Sequence, residues 1–292
     1  MQNAYRYSGC FLFGILLFNF YNCAEPAEGC IQIAASNFDV SADIDCCRKE
    51  GECCCTFPAM SLNFFYKLNS GDTLANPATN FKIGRYYPLE NSLDSIRIDS
   101  FQLFVANTRP LNSTLEDSLQ VIENIRLLSA DGLGGTVEAS YPDNLALIDF
   151  ENFRYTLGTY QSTLTYDKFN YSLGIPEYLA RVEPNDVLDA HPLGGEYTVL
   201  YVDEDRRYIS GRVGFRLKRA QEERFIVHEI TNSTQIEQEL SLPTSIEKGS
   251  ELRIVMRINT LDVFKGIIFD VPNEDIGLII NDNLISSISI LE

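Results

Sequence analysis

The chain has 292 residues, which is long for a minimal domain but ordinary for one all-β domain of about 200 to 250 residues with a leader. Its formal net charge is −18, and Arg6 is the one charged residue of residues 1–22, so the chain without them carries −19. Such a negative surface repels nucleic acid, and the charge therefore excludes the DNA-binding and RNA-binding classes. The apolar fraction of 45% is enough for a substantial core.

Residues 1–22 predict a secretion signal, because the apolar run 11–18 is too short to span a bilayer. Cys23 follows this run and precedes an acidic spacer, a pattern similar to a bacterial lipoprotein signal in which that cysteine is lipidated. Phe20 and Tyr21 depart from the small residues usual before such a cysteine. Simple secretion, with Cys23 as a further disulfide partner, therefore stays open.

The expected location is the cell envelope of a Gram-negative bacterium, as an outer-membrane lipoprotein that faces the periplasm or the exterior. The membrane is then a partner through the lipid on Cys23. Residues 23–58 are interpreted as a lipid anchor and a cysteine-rich linker, and residues 59–292 as the folded domain.

Six cysteines of the linker remain if Cys23 is lipidated, an even number whose pairing the sequence leaves open. Export implies an oxidising compartment, which favours disulfides over a thiolate metal site. The disulfide candidates are Cys30, Cys46, Cys47, Cys53, Cys54 and Cys55.

Three carboxylates of the linker form a weak calcium candidate. Asp39, Asp43 and Asp45 offer oxygen ligands at short spacing, which calcium accepts, although the glycine usual after such an acidic pair is missing. The alternative is a disulfide-pinned linker with no ion.

Alternation of apolar and polar residues, with Gly, Asn and Asp at the turns, predicts an all-β domain, an antiparallel sandwich or barrel-like fold with one or two short helices. Residues 119–128 fit helix and strand equally. A short helix is expected within 179–190 and a helical turn at 261–264. The segment 274–288 is the best late helix candidate, although its Ile and Asn content also permits a strand. The predicted strands are 62–68, 95–105, 145–150, 153–157, 166–174, 196–202, 207–218, 224–230 and 251–258.

Several short stretches of sequence follow one another in a characteristic order, and together they cover nearly the whole domain. They are 62–66, 98–107, 155–160, 168–175, 191–193, 211–217, 225–228, 252–259 and 280–283. Together they are similar to the MbnP-like family, copper-associated periplasmic proteins of methanobactin-type gene clusters. The resemblance implies an exported β-rich protein that binds copper in some members, sometimes beside a di-haem peroxidase-like partner.

The resemblance breaks at one point. In such members an oxidised tryptophan, kynurenine, joins histidines at the copper, but this chain has no tryptophan. Its segment 196–201 reads Glu-Tyr-Thr-Val-Leu-Tyr. This chain therefore cannot form a kynurenine ligand, and a haem partner is in doubt.

The chain has two histidines, His191 and His228, and the thioether of Met256 could join them. Two neutral imidazoles and a soft sulfur ligand suit copper. The alternatives are a turn residue for His191 and a satisfied, half-buried side chain for His228. The copper site therefore rests on the resemblance.

No catalytic pattern stands out. Serine lacks a Gly-x-Ser-x-Gly context, and no glycine-rich phosphate loop is present. The acidic run of Asp203, Glu204 and Asp205 is interpreted as a solvated hairpin turn. We expect a non-enzymatic, metal-binding envelope protein with copper as the first candidate, or else an interaction protein that has lost the metal and binds an envelope partner on its β surface.

Overall fold

The computed structural model describes residues 25–48, 53–69, 76, 78, 80–90, 92–114, 117–118, 123–161, 165–188, 190–195, 200–245, 247 and 249–291. The chain divides into two compact units, Met1–Thr56 and Phe57–Glu292. The predicted signal and Cys23 lie outside the described residues. Within the described ranges, no helix has the length and apolar character needed to cross a membrane.

The first unit is held together mainly by disulfide bonds. Its strands β1 (Glu28–Gly29) and β2 (Ile44–Asp45) pair in parallel but have only two residues each. Three disulfides are nested around one loop, Cys47–Cys53 inside Cys46–Cys54 inside Cys30–Cys55. The prediction of disulfides among these six cysteines is confirmed. Small segments with little core usually need such links.

Within its described residues, the second unit contains strands and two α-helices. The strands are β3 (Ala59–Lys67), β4 (Tyr86–Pro88), β5 (Ser95–Asn112), β6 (Asp117–Ser118), β7 (Asn124–Ala130), β8 (Thr136–Pro142), β9 (Leu145–Asp149), β10 (Arg154–Thr159), β11 (Thr165–Leu173), β12 (Tyr201–Val202), β13 (Arg207–Tyr208), β14 (Gly211–Arg219), β15 (Glu222–Ile230), β16 (Thr234–Ser245), β17 (Leu252–Asn259) and β18 (Ile288–Leu291). The helices are α1 (Glu177–Ala180) and α2 (Asn273–Ser287), with 3-10 turns at Pro184–Asp186 and Asp262–Phe264.

The long strand β5 organises the larger sheet. Its first half pairs with β14 and its second half with β11, and β15 and β16 extend the sheet beyond these two neighbours. The short strands β4, β6 and β9 also pair with β5. This eight-stranded sheet faces a four-stranded sheet in the order β10-β3-β17-β18, in which β17 runs parallel to β3.

The main core lies between the two sheets. Inward side chains alternate along each strand, such as Ile96 and Ile98 on β5 and Phe215 and Leu217 on β14. Helix α2 completes this core with Ile276, Ile280 and Leu284.

A second core covers part of the outer face of the same sheet. It begins with Phe104 and Ala106 of β5 and Leu145 and Leu147 of β9, which point away from the main core. Residues from the β7–β8 hairpin, from α1 and from the segment up to Ile209 pack on them. Strand β5 is therefore buried on both faces in its middle.

The all-β sandwich prediction is confirmed, with local differences. The predicted strand 207–218 is two strands, because the chain changes partner at Ser210, whose carbonyl accepts a hydrogen bond from Phe104 of β5. In the ambiguous segment 119–128, the part from Asn124 is strand β7. Residues 196–199 of another predicted strand lie outside the described ranges.

A carboxylate with no exposed side-chain surface ties the start of β5 to the segment before α2. Asp94 accepts hydrogen bonds from Arg219 at 2.5 and 2.9 Å and from the amide of Phe269 at 2.8 Å. Arg219 also reaches Asp270, whose side chain is 69% exposed. The hydrogen bonds from Arg219 hold the pKa of Asp94 well below its usual value, despite the opposing effect of burial.

We predict that Asp94→Asn lowers the free energy of unfolding by about 2 to 3 kcal/mol, since it weakens charge-assisted hydrogen bonds to a buried group. The matched control Asp270→Asn removes an exposed partner of the same arginine and should cost less than about 1 kcal/mol. Urea denaturation measures both changes, and equal costs would contradict the importance of Asp94.

The interaction of Asp94 with Arg219 also makes the free energy of unfolding depend on pH. A carboxylate whose folded pKa is lowered stabilises the fold above its unfolded pKa, and this stabilisation is lost as the pH falls toward the folded pKa. The difference between wild type and Asp94→Asn should therefore be constant from pH 7 to about pH 5 and shrink below about pH 4.

Candidate functional site

His191 is a structural residue of a turn in the second unit. Its Nδ1 accepts a hydrogen bond from the amide of Leu193 at 3.1 Å, and its side chain is 9% exposed. Its Nε2 lies 3.3 Å from Oδ1 of Asp143 without the geometry of a hydrogen bond. The interpretation of His191 as a turn residue bonded to backbone therefore describes its surroundings well.

The hydrogen bond to His191 decides what the imidazole can do. A neutral imidazole carries one proton, and a nitrogen that accepts a backbone N–H is the unprotonated one. The proton of His191 is therefore assigned to Nε2, whereas a metal requires a nitrogen with a free lone pair. In this arrangement His191 does not fit a copper ligand unless its bond to Leu193 is broken.

His228 lies on β15 and packs against helix α2. Its Nε2 is 3.3 Å from the amide oxygen of Asn281, and its ring lies over Gly277. A Cβ added to Gly277 would lie 2.6 Å from Cε1 of His228, so the glycine permits this close approach. The half-buried histidine thus helps to fix the helix to the sheet.

The three residues proposed as copper ligands have separate surroundings. Met256 lies fully buried on β17 in the main core, while the two histidines have the partners described above. Within the described residues, one group of three or more His, Cys, Asp or Glu ligand atoms lies within 4.8 Å, and it contains Asp45, Cys46, Cys47 and Cys55 but neither histidine. The copper site stays a prediction that these contacts do not support.

The described residues of the first unit, 25–48 and 53–56, do not provide a metal site ready for use either. Cys46, Cys47 and Cys55 of that group are in disulfides and carry no thiolate. Asp39 and Asp43 do not belong to the group. Each proposed calcium ligand instead accepts a hydrogen bond from a backbone amide, Asp39 from Ser41, Asp43 from Ala27 and Asp45 from Cys47.

The outer surface formed by β4, β5, β14 and β15 carries cations, aromatic rings and carboxylates. We call it the arginine face. Its residues are Tyr86, Arg97, Asp99, Arg212, Arg216, Lys218, Glu223, Phe225, Val227 and Glu229. They share one side of the sheet because alternate residues point the same way and paired strands are in register, as with Arg97 opposite Arg216 and Arg216 opposite Phe225.

Ion pairs fix the arginines of this face. Arg97 donates to Asp99 at 2.7 Å, and Arg216 donates to Asp99 and Glu223, each at 2.8 Å. Burial would raise the pKa of Asp99, but the hydrogen bonds from Arg97 and Arg216 lower it overall. Hydrogen bonds from Tyr86 and Arg216 lower the pKa of Glu223. Both carboxylates are therefore ionised at neutral pH.

Aromatic rings complete the arginine face. The guanidinium of Arg216 lies 4.9 Å from the ring centroid of Phe225, and Arg97 and Lys218 lie 5.3 and 5.4 Å from that of Tyr86. Phe225 is 55% exposed and the adjacent Val227 is 51% exposed. This arrangement offers an apolar strip with rigid, charged edges.

The sequence alone does not reveal the arginine face. The sequence predicts strands at 95–105, 207–218 and 224–230. It does not show which strands pair, and therefore does not show which outward side chains lie next to one another. The acidic turn was identified correctly, since Asp203, Glu204 and Asp205 connect β12 and β13. Its neighbour Arg206 pairs with Glu183 rather than with that turn.

The second unit is thus an all-β sandwich with one helix closing its main core. No family model matches the chain, and a search of curated proteins finds no significant match. Among solved structures, MbnP from Methylosinus trichosporium is similar over 73% of this chain and 80% of that chain, at 10% identity and a TM-score of 0.41. At that TM-score we draw no conclusion from the likeness about this chain's fold, metal or partners.

We predict that the effect of Gly277→Ala reverses with the residue at position 228. In wild type, the new methyl group meets the His228 ring and should lower the free energy of unfolding by about 1 kcal/mol or more. In a His228→Ala background, the space next to residue 277 is open. The better helix propensity of alanine should then raise the free energy of unfolding by about 1 kcal/mol. Urea denaturation of the four proteins measures this, and the same sign in both backgrounds would refute the contact.

Proposed function

We propose that this chain is an exported, non-enzymatic binding protein of the cell envelope that recognises another protein through the arginine face. The main observation in support of this proposal is the array of arginine, aromatic and aliphatic side chains on the outer side of the eight-stranded sheet. Interfaces between proteins are enriched in Arg, Tyr and Phe, and their anchors are held in place before binding.

Charge indicates what the partner presents. On the arginine face, Arg97, Arg212 and Arg216 are paired with three carboxylates, while Lys218 has no carboxylate within 4.0 Å in the part of the chain that the structure describes. The arginine face is net positive, whereas the whole chain has a charge of −18. An acidic partner is therefore repelled less by this face than by the rest of the surface. We therefore expect a protein segment with apolar side chains for Phe225 and Val227 and a carboxylate for Lys218.

Export is supported by the first unit. Three disulfides among six cysteines within residues 30–55 are typical of oxidising compartments and rare in the cytosol. Attachment to the outer membrane through Cys23, with the leader 1–22 as its signal, completes the proposed location.

Copper is the second candidate that the sequence suggested, and the contacts of the histidines weigh against it as the main function. Both imidazoles have structural partners, and use of His191 would require the loss of its bond to Leu193. Catalysis is not part of the proposal, since Nδ1 of His191 accepts from the Leu193 amide and its Nε2 lies beside the Asp143 carboxylate.

The oxidation state provides a test of export. In cells that make the protein, alkylation without prior reduction should leave the six cysteines of residues 30–55 unmodified, and alkylation after reduction should label all six. The mass of tryptic peptides measures both states. Free thiols in freshly lysed cells would contradict an oxidising location, since all six are in disulfides in the structure.

Binding at the arginine face can be tested by site-specific photo-cross-linking in the same cells. A photoreactive residue at Val227 should give one discrete cross-linked product. The matched control is Val137 on β8, which is 54% exposed against 51% for Val227 and lies on another surface of the second unit. It should not give that product.

Two substitutions identify the contacts that produce the cross-link. Phe225→Ala and Lys218→Glu change exposed side chains and should leave the fold intact, but each should reduce the product by about tenfold, which corresponds to about 1.4 kcal/mol. No product from position 227, identical products from 227 and 137, or a product that both substitutions leave unchanged would refute the proposal.

A further inference from the structure

A second outer patch lies beyond the second core, where β5 pairs with β11. Asn170 of β11 is opposite Arg109 of β5, so both side chains are on the same side of the sheet. That side is the outer one, since the flanking residues Phe169 and Tyr171 belong to the main core. The patch is separate from the arginine face, which lies at the β14–β15 end.

Arg109 differs from most arginines of this acidic protein. Its guanidinium has no carboxylate within 4.0 Å in the described ranges, and its Nε is buried without a hydrogen-bond partner. Arginines that do have a carboxylate partner are Arg97, Arg126, Arg154, Arg181, Arg206, Arg207, Arg212, Arg216, Arg219 and Arg253. A half-buried cation left unpaired by a chain with 41 acidic residues requires a reason.

Asn170 provides the second observation. It is 7% exposed, and its Oδ1 is buried with no hydrogen-bond partner. Leaving a buried polar group unsatisfied costs about 1 to 3 kcal/mol, so such groups usually meet a ligand, an ion or water. One strand pair thus holds an unsatisfied donor, the Nε–H of Arg109, and an unsatisfied acceptor, Oδ1 of Asn170.

The rim of the patch is held by a chain of hydrogen bonds. Tyr178 of α1 donates to Oδ1 of Asn107 at 2.5 Å, and Nδ2 of Asn107 donates to Ser172 at 3.1 Å. Asn107 has a φ of 52°, a left-handed conformation that asparagine tolerates, and it forms the bulge opposite Tyr171. Burial raises the pKa of Tyr178, and the positive charge of nearby Arg109 opposes this shift.

An aromatic wall adjoins the unpaired cation. The ring of Tyr178 stacks on Tyr141 with centroids 5.7 Å apart and remains 43% exposed. A flat group can lie on the part of Tyr178 that stays open, while its charged end reaches Arg109.

From this geometry we infer that Arg109, beside Asn170 and Tyr178, forms a binding site for a small oxyanion, a carboxylate or a phosphate. A guanidinium offers paired N–H donors that match two oxygens of either group. The unpaired Oδ1 of Asn170 is an acceptor, so it can contact the ligand only through a proton that the ligand carries, such as the P–OH of hydrogen phosphate. An aromatic body on a carboxylate adds contact with Tyr178.

Titration calorimetry on the full chain tests the site with three probes, namely acetate, benzoate and inorganic phosphate. A ligand with so few atoms should bind with a Kd of about 1 mM. Phosphate alone would identify a phosphate site, whereas benzoate bound more tightly than acetate would identify a carboxylate site that uses Tyr178. The Nε resonance of Arg109 in NMR spectra should shift with the bound probe.

The variants are Arg109→Gln, Arg109→Lys and the control Arg126→Gln, which removes an exposed arginine paired with Glu138. Arg109→Gln should reduce binding at least tenfold, Arg109→Lys should retain part of it, and Arg126→Gln should leave it unchanged. Thermal unfolding of each variant confirms that the fold is intact. If no probe binds, or if binding survives Arg109→Gln or is lost equally with Arg126→Gln, the inference is overturned.

Discussion

The pairing of β5 is the constraint on which the rest of the second unit depends. Its two halves take β14 and β11 as neighbours, and its middle is buried on both faces. A polar residue at Phe104 or Ala106 would disturb the second core, and one at Leu103 or Val105 would disturb the main core. The outer face of the sheet therefore divides into a covered middle and two open ends, and each end carries a candidate binding surface.

Charge distinguishes these surfaces from the rest of the molecule. The chain is strongly acidic, yet the arginine face holds three paired arginines and Lys218, which has no carboxylate within 4.0 Å among the described residues. The other end of the sheet holds Arg109. Exposed ion pairs contribute little to stability, so they are better explained as a means of holding side chains in position than as a means of holding the fold. The stabilising ion pair is a different one, that between Asp94 and Arg219.

The sequence predicted much of the local structure, because period-two alternation in 95–105 and 224–230 is set by residues adjacent in the chain. It could not predict which strands pair, and the partners of Arg97, Arg216 and Phe225 come from distant segments. The six cysteines predicted disulfides, but their nested pairing depends on the folded path. The two histidines suggested a shared metal, whereas their roles are set by Leu193 and Asn281, which no spacing in the sequence indicates.

The central proposal is that this β domain works through its surfaces and not through copper held by His191 and His228. Elemental analysis of the protein purified without chelator from its own envelope tests it most directly. The claim predicts far less than one copper per chain, unchanged in His191→Ala and His228→Ala. One copper per chain that is lost in both variants would contradict it.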